Sequence, residues 1–350
     1  QSVLLEIPKN IKAEFLKKAV EQLLEHHDAL RLRFSCVTSE YKQINQGLDD
    51  VVPFTVVDLS STPKLEQPQT LEQIATEYQA SLNLSDGPIM QVVMFNLGGD
   101  ENARLLIIIH HLVVDGVSWR ILLSDLETIY QQLIAHQPIK LSPKTTAYID
   151  WAEKLNNYAQ SQIIKQQLDY WREQPWSKTK PLPSDYPQTQ SENTVGSAIN
   201  YRVNLNQQET RSLLLSVNEA YNTQINDILL SALVLTLAQW TGNSTLAIDL
   251  EGHGREELFS DVDLSRTVGW FTSLFPVLLQ LPTDYQLASV IKSIKEQLRA
   301  IPNRGIGYGI LRYLCEDTAV TDIQTLTTPE ISFNYLGQFD QVQLQTGWKF

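Results

Sequence analysis

A chain of 350 residues is longer than one hydrophobic core usually serves, so two lobes are expected. With 43% hydrophobic and 19% charged residues the composition is globular, and a net charge of −13 without a dense basic run disfavours nucleic acid and anionic membranes as partners. Cys36 and Cys315, far apart and without zinc or CxxC spacing, are expected to be two buried thiols in a reducing, cytoplasmic setting. No apolar run has the length of a membrane span, and there is no signal peptide.

Val3, Leu5 and Ile7 alternate as a strand almost from the first residue, Gln1, so the chain is expected to be cut from something larger. Ile11 to His27 carries an apolar stripe at helical spacing (Ile11, Phe15, Ala19, Leu23). Leu30-Leu32-Phe34 and Val52-Phe54-Val56 alternate as strands, and Leu71 to Leu84 reads as a helix. Ile89 to Leu97 and Arg104 to Ile109 are strands separated by the turn Gly98-Gly99-Asp100. A helix with Leu122, Leu126, Ile129 and Leu133 on one face follows, then a long helical region from Thr145 to Arg172. Pro175, Pro181, Pro183 and Pro187 then crowd together and stiffen a connector. The expected organisation is a lobe over 1–173, a linker over 174–198 and a second lobe over 199–350. In the second lobe Tyr201-Val203-Leu205 alternates as a strand, Glu209 to Ala220 and Ile225 to Trp240 read as helices, and Thr245 to Leu250 as a strand. Leu287 to Ile301 and Ile310 to Leu314 are helical, and Ile331 to Phe333 is a short strand. The fold class is α/β, two-lobed, with the chemistry expected in a central cleft or tunnel.

The run HHLVVDGVSW places His110, His111, Asp115, Gly116 and Ser118 where a buried strand hands over to a helix. Imidazole is the side chain best suited to moving protons near neutral pH. Neighbours on a strand point to opposite faces, so one ring is expected in a cleft and the other in the interior. The alternative is two satisfied core histidines. His26-His27 is a second double histidine, without a strand before it; cationic rings near a helix C-terminus account for it. His110, His111 and Asp115 lack the one-face spacing of a metal site, and no metal is expected. Asp115-Gly116 is read as a turn with glycine available for positive φ. Asp115 fixes that turn or pairs with Arg120 or Arg255, and a role as a second base is the lesser reading.

In Glu251-Gly252-His253-Gly254-Arg255-Glu256 a carboxylate stands at a strand end, comparable in placement to His111. Alone it is a solvated loop charge; paired with an imidazole from the other lobe it suits removal and return of a proton. GIGYG (305–309) lacks the spacing of a dinucleotide loop and is expected to be a flexible turn before a helix. In Asn334-Tyr335 the phenol either stabilises an oxyanion or is a core tyrosine.

Together HHLVVDGVSW (110–119), EGHGRE (251–256), RTVGWFTSLFP (266–276), GIGYG (305–309) and FNYLGQFD (333–340) resemble the epimerization domain of nonribosomal peptide synthetases. HDALRLRF (27–34) adds a feature of the wider superfamily. That branch belongs to the condensation-domain superfamily, related in fold to chloramphenicol acetyltransferase, a two-lobed pseudo-dimer. HHxxxDG marks the superfamily, whereas EGHGRE, RTVGWFT and NYLGQFD mark the epimerizing branch. The family's opening proline-glutamine-tryptophan motif is absent and the family continues past NYLGQFD, so both ends are expected to be incomplete. The resemblance implies a substrate held by thioester on the phosphopantetheine arm of an upstream peptidyl carrier domain, a downstream condensation domain, and no cofactor bound by the domain itself. It implies that His111 and Glu251 are acid/base groups and that Tyr335 and Asn334 lie near the reacting carbon. Asp115 is structural, with His110, Gly116, Ser118, His253 and Arg255 supporting the site. The enolate would be stabilised by Tyr335 or by backbone N–H groups where the helix begins near Ser118. Alternatives are a condensation domain joining two carrier-bound substrates, a non-catalytic docking module and, more distantly, a coenzyme A acyltransferase.

Overall fold

The computed structural model describes residues 1–37, 40–186, 194–326, 328–337 and 347–349. They form two compact units: Gln1–Glu153 with Phe259–Phe271 and Leu336–Phe350, and Lys154–Leu258 with Thr272–Tyr335. Pro187, and Gln338 to Asp340 of the NYLGQFD run, lie outside the described residues.

In the first unit β1 (Ser2–Ile7), β4 (Phe54–Asp58), β5 (Met90–Asn96) and β6 (Ala103–Ile109) form a sheet of order β1-β6-β5-β4, with a separate hairpin of β2 (Leu32–Val37) and β3 (Glu40–Asn45). β6 is antiparallel to both neighbours; β4 runs parallel to β5. The reason β6 reads as an unbroken apolar run is that both of its faces are covered. Leu105, Ile107 and Ile109 enter the core shared with Leu16, Val20 and Leu23 of α1 (Ala13–His26). Leu122, Leu126 and Ile129 of α3 (Gly116–Ile134) close the same core. Leu106 and Ile108 face the other way, against Leu71, Ile74 and Tyr78 of α2 (Gln67–Ala80). A strand packed on both faces is a rigid platform, and the double histidine follows directly from its end.

α4 (Tyr148–Ala159), α5 (Gln162–Lys165) and α6 (Leu168–Arg172) make up the helical region expected over 145–172. Beyond them, α7 (Gln207–Arg211) and α8 (Val217–Tyr221) are joined by a wider π-type turn over Ser212–Ser216, so the expected helix over 209–220 is present but irregular. The core of the second unit gathers α9 (Ile225–Thr241), α10 (Leu287–Arg299), α11 (Ile306–Tyr313) and α12 (Thr321–Gln324) around a sheet of order β8-β7-β9. The strands are β7 (Thr245–Gly252), β8 (Ser273–Gln280) and β9 (Ser332–Phe333). β7 is antiparallel to β8 and parallel to β9, with Leu250 opposite Phe333.

Three expectations fail. Tyr201-Val203-Leu205 forms no strand; Tyr201 and Val203 are about nine-tenths exposed, because alternation yields a strand only where a described neighbour offers a ladder. GIGYG is not a flexible turn before the helix: Gly307, Tyr308 and Gly309 lie inside α11. Only Gly305 needs glycine's backbone freedom, with φ +88°, and a Cβ there would stand 2.4 Å from the Phe275 ring. Cys315 is buried as expected, but Cys36 is exposed.

Gly305→Ala combines a left-handed backbone with overlap against a buried ring. It is expected to cost about 2 kcal/mol or more, seen as a lowered urea midpoint; an unchanged midpoint would show that Phe275 can move aside freely.

Candidate functional site

β6 ends at Ile109, whose N–H donates to the Gln1 carbonyl, and the His110 N–H donates to the Ile89 carbonyl. The chain then leaves the sheet: His111 opens a single 3-10 turn, His111–Val113. The two histidines therefore do not alternate on a strand, as the sequence pattern suggests. They separate because of this turn, and His110 is half-buried while His111 is exposed. The Leu112 N–H donates to Nδ1 of His110 at 3.2 Å, which puts the proton of the neutral ring on Nε2. Burial holds the His110 pKa below the usual histidine value, and the adjacent His111 adds to the effect.

Asp115 is the N-cap of α3, with Oδ1 accepting from the Ser118 N–H at 2.7 Å. Its Oδ2 accepts from the Phe271 N–H at 3.1 Å, and the residue is only 3% exposed. The acid thus caps α3, and its donors include the backbone amides of Ser118 and Phe271. Ser118 Oγ donates to the Gly269 carbonyl at 2.8 Å and accepts from the Gly269 N–H at 3.1 Å. Three of these bonds lace the RTVGWFT loop to the start of α3. The loop lays the Trp270 ring beside His111, centroids 5.1 Å apart. Gly269 permits the close approach: a Cβ there would stand 2.4 Å from the Tyr148 ring, whose hydroxyl donates to the Trp270 carbonyl at 2.8 Å. Gly116, by contrast, is the first residue of α3 without positive φ, so its expected left-handed role does not apply. Of the backbone N–H groups near Ser118 considered from the sequence as oxyanion donors, that of Ser118 itself already serves Asp115.

Sequence reasoning assigned no role to Gly269, Trp270 or Phe271. Their signal was a glycine followed by two aromatic residues in a loop, which leaves open what the rings pack against. His26-His27 also needs correction. His27 is buried, its Nε2 2.8 Å from Asp125 Oδ2, and Arg266 also donates to Asp125. Burial lowers the His26 pKa, opposite to the expected stabilised cation. Ligand-type atoms of His26, His27 and Asp125 come within 4.8 Å of one another, but the Arg266 guanidinium occupies the carboxylate a metal would need.

In the second unit, Glu251 and Gly252 close β7. Because β9 pairs in parallel with Asp249 and Leu250, the residue after it falls beside Glu251, and Asn334 Nδ2 donates to Glu251 Oε2. Glu251, His253, Glu256, Phe275, Phe333 and Tyr335 line a cavity of about 590 Å³. A Cβ on Gly252, at its wall, would lie 2.8 Å from Ser273 Oγ, so the hydroxyl would have to turn aside. His253 is a staple in the loop: Nδ1 accepts from the Arg255 N–H at 3.0 Å, leaving Nε2 to face Glu256 Oε1 at 3.3 Å. Each unit thus carries an exposed titratable side chain, His111 or Glu251, at or just past the end of a sheet strand.

A family model described as condensation domain matches residues 1–348. One of the linear gramicidin synthase subunits of Brevibacillus parabrevis is 50% identical over 343 residues, 97% of this chain and 4% of that protein. Surfactin synthase subunit 2 of Bacillus subtilis (strain 168) is 41% identical over 341 residues, 97% of this chain and 9% of that protein. The chain therefore spans less than a tenth of the length of either relative. The crystal structure of the epimerization domain from the third module of tyrocidine synthetase B matches with a TM-score of 0.91 at 37% identity, covering 100% of this chain and 77% of that one. The first condensation domain of the calcium-dependent antibiotic synthetase shares the fold, with a TM-score of 0.70 at 15% identity over 95% of this chain and 73% of that one.

Asp115→Asn keeps one acceptor for Ser118 but turns an amide toward the Phe271 N–H. A loss of about 1–3 kcal/mol is expected, with faster hydrogen exchange at the Phe271 amide. Unaltered exchange there would show that the loop is held independently of Asp115.

Proposed function

The chain belongs to the condensation-domain family, with its chloramphenicol-acetyltransferase-like α/β fold, and we propose that it is an epimerization domain of a nonribosomal peptide synthetase. It inverts the α-carbon, L to D, of the C-terminal residue of an aminoacyl or peptidyl thioester. The observation that carries this reading is the likeness to a solved epimerization domain over the whole chain, TM-score 0.91, against 0.70 for a condensation domain. The EGHGRE loop supports it, because it brings Glu251 to a cavity that also receives Tyr335.

The substrate arrives on the phosphopantetheine arm of an upstream carrier domain, and a downstream condensation domain consumes the product, in a cytoplasmic synthetase. The first unit contributes HHxxxDG, and the second contributes EGHGRE and the Asn334-Tyr335 pair that opens NYLGQFD. A thioester acidifies the α-proton relative to an ester or amide, yet leaves it far less acidic than a side-chain acid. Chemistry therefore needs a base, a returning acid and a donor to the enolate oxygen. His111 and Glu251 are the two proton-transfer groups. One takes the α-proton and the other supplies a proton to the opposite face, so that configuration inverts and no electron is gained or lost. The Tyr335 phenol, on the cavity wall with Glu251, is the donor for the oxyanion, and Asn334 orients the carboxylate.

A loaded carrier incubated with the protein in heavy water reads mass and stereochemistry together. His111→Ala and Glu251→Ala are each expected to lower deuterium entry at the α-carbon by about 10²–10⁴-fold. Full exchange in Glu251→Ala would remove the two-group assignment and leave a shuttle on His111 alone. Amide formation with a second loaded carrier, without exchange, would make the domain a condensing one.

A further inference from the structure

Trp270 combines a backbone fixed on both sides with a ring left at the surface. The Gly269 N–H and carbonyl are both bonded to Ser118 Oγ, and the Phe271 N–H is bonded to Asp115. The carbonyl of Trp270 itself accepts from the Tyr148 hydroxyl. Its neighbours in the loop turn inward: Val268 is 4% and Phe271 6% exposed, and the Phe271 ring lies 5.1 Å from that of Tyr148. Trp270 is 40% exposed, with its ring 5.1 Å from that of the exposed His111. A lone apolar residue at a surface needs no explanation. An indole held by this many bonds beside a candidate acid/base group is a preorganised surface, the kind of element that positions a substrate.

The chemistry of that surface selects what lies on it. An α-carbon close enough to His111 for proton transfer brings its other substituents against the indole. Those are the nitrogen, the thioester carbonyl and the side chain. The first two are polar and call for hydrogen-bond partners, which the face of an indole does not supply. The side chain is the substituent that gains there. The ring face is electron-rich, so apolar and aromatic side chains are favoured and a carboxylate is repelled. Inversion adds a second requirement. Proton and side chain exchange places about the α-carbon, so one site has to hold both configurations. A deep pocket shaped for one would reject the other, whereas a flat, rigid ring takes the side chain in either.

We propose that Trp270 is the surface on which the side chain of the tethered residue packs, and that this side chain is large and apolar, of the leucine or phenylalanine class. The inference rests on the epimerase reading given above and names its substrate class.

The test compares carriers loaded with leucyl, alanyl or aspartyl thioester, each incubated with the 350-residue protein in heavy water. Deuterium entry at the α-carbon is read as kcat/KM. In the parent protein leucyl is expected to exceed alanyl and aspartyl by about tenfold or more. Trp270→Ala is expected to remove most of that advantage, and Trp270→Phe, which keeps an aromatic face, to retain it. Unchanged urea midpoints verify that the variants are folded. A disturbed loop would slow all three substrates together, so the ratio is a reading that a merely structural role does not move. A leucyl-to-alanyl ratio near one in the parent protein, or one that survives Trp270→Ala, would overturn the proposal. A binding measurement separates it from the reaction. The same carriers, with the thioester replaced by an unreactive amide, are titrated into the protein, and the Trp270 fluorescence is taken as the difference between parent and Trp270→Phe. Tighter leucyl binding with a change in Trp270 fluorescence, but no exchange of any α-proton, would uphold the surface and overturn the epimerase reading. Equal binding of all three carriers would overturn the surface.

Discussion

The carboxylate of Asp115 holds the candidate site in the first unit together. A buried carboxylate is costly unless donors surround it, and here it receives backbone N–H groups of Ser118 and Phe271, two segments remote in sequence. Each charge-assisted bond is worth about 1.5–3 kcal/mol, and the position at the start of α3 adds the favourable end of the helix dipole. Ser118 then doubles the seam through Gly269. The first turn of α3 and the loop that carries Trp270 consequently share one set of bonds, just after the 3-10 turn that carries His111. Asp115 and Ser118 of the motif thereby tie the start of α3 to the loop that lays Trp270 beside His111.

The second unit solves the same problem with sheet register. Asp249 and Glu251 share a face of β7 by the two-residue period, yet their environments differ. Asp249 is 7% exposed, and burial raises its pKa against the pull of Arg312. Glu251 lies beyond the covered part of the strand, where the chain leaving β9 brings Asn334 to its carboxylate. One strand thus carries an acid whose charged form the interior disfavours and, two residues later, an acid oriented by an amide at a cavity.

Much of this was legible in the sequence where one local rule decides the outcome. β6 declared itself because burial on both faces demands an unbroken apolar run, and the helix after it because Leu122, Leu126, Ile129 and Leu133 recur at helical spacing. Cys36, Tyr201 and Val203 were misjudged because exposure depends on which distant segment arrives to cover a residue. Glycines were hard to read for a related reason. Gly305 does need positive φ, whereas Gly269 is small because Tyr148 stands where a Cβ would go. Trp270 was invisible as a functional residue: a tryptophan in a loop signals nothing until His111 is seen beside its ring.

The bracing of α3 also constrains where negative charge can be stabilised. Helix starts commonly serve as anion sites through free N–H groups and a positive dipole end. Here the Ser118 N–H is committed to Asp115, and that carboxylate already offsets the dipole, so an enolate approaching the same helix start would meet like charge. Under the proposed reaction, oxyanion stabilisation therefore falls to side-chain donors, and Tyr335 shares the cavity wall with Glu251. A phenol has a further advantage over a cationic donor. It stabilises the developing charge by a hydrogen bond without adding a positive charge that would depress the basicity of a nearby carboxylate. Basicity has to be preserved in this mechanism, because the α-proton of a thioester is far less acidic than either proton-transfer group, and each increment of lost basicity widens that gap.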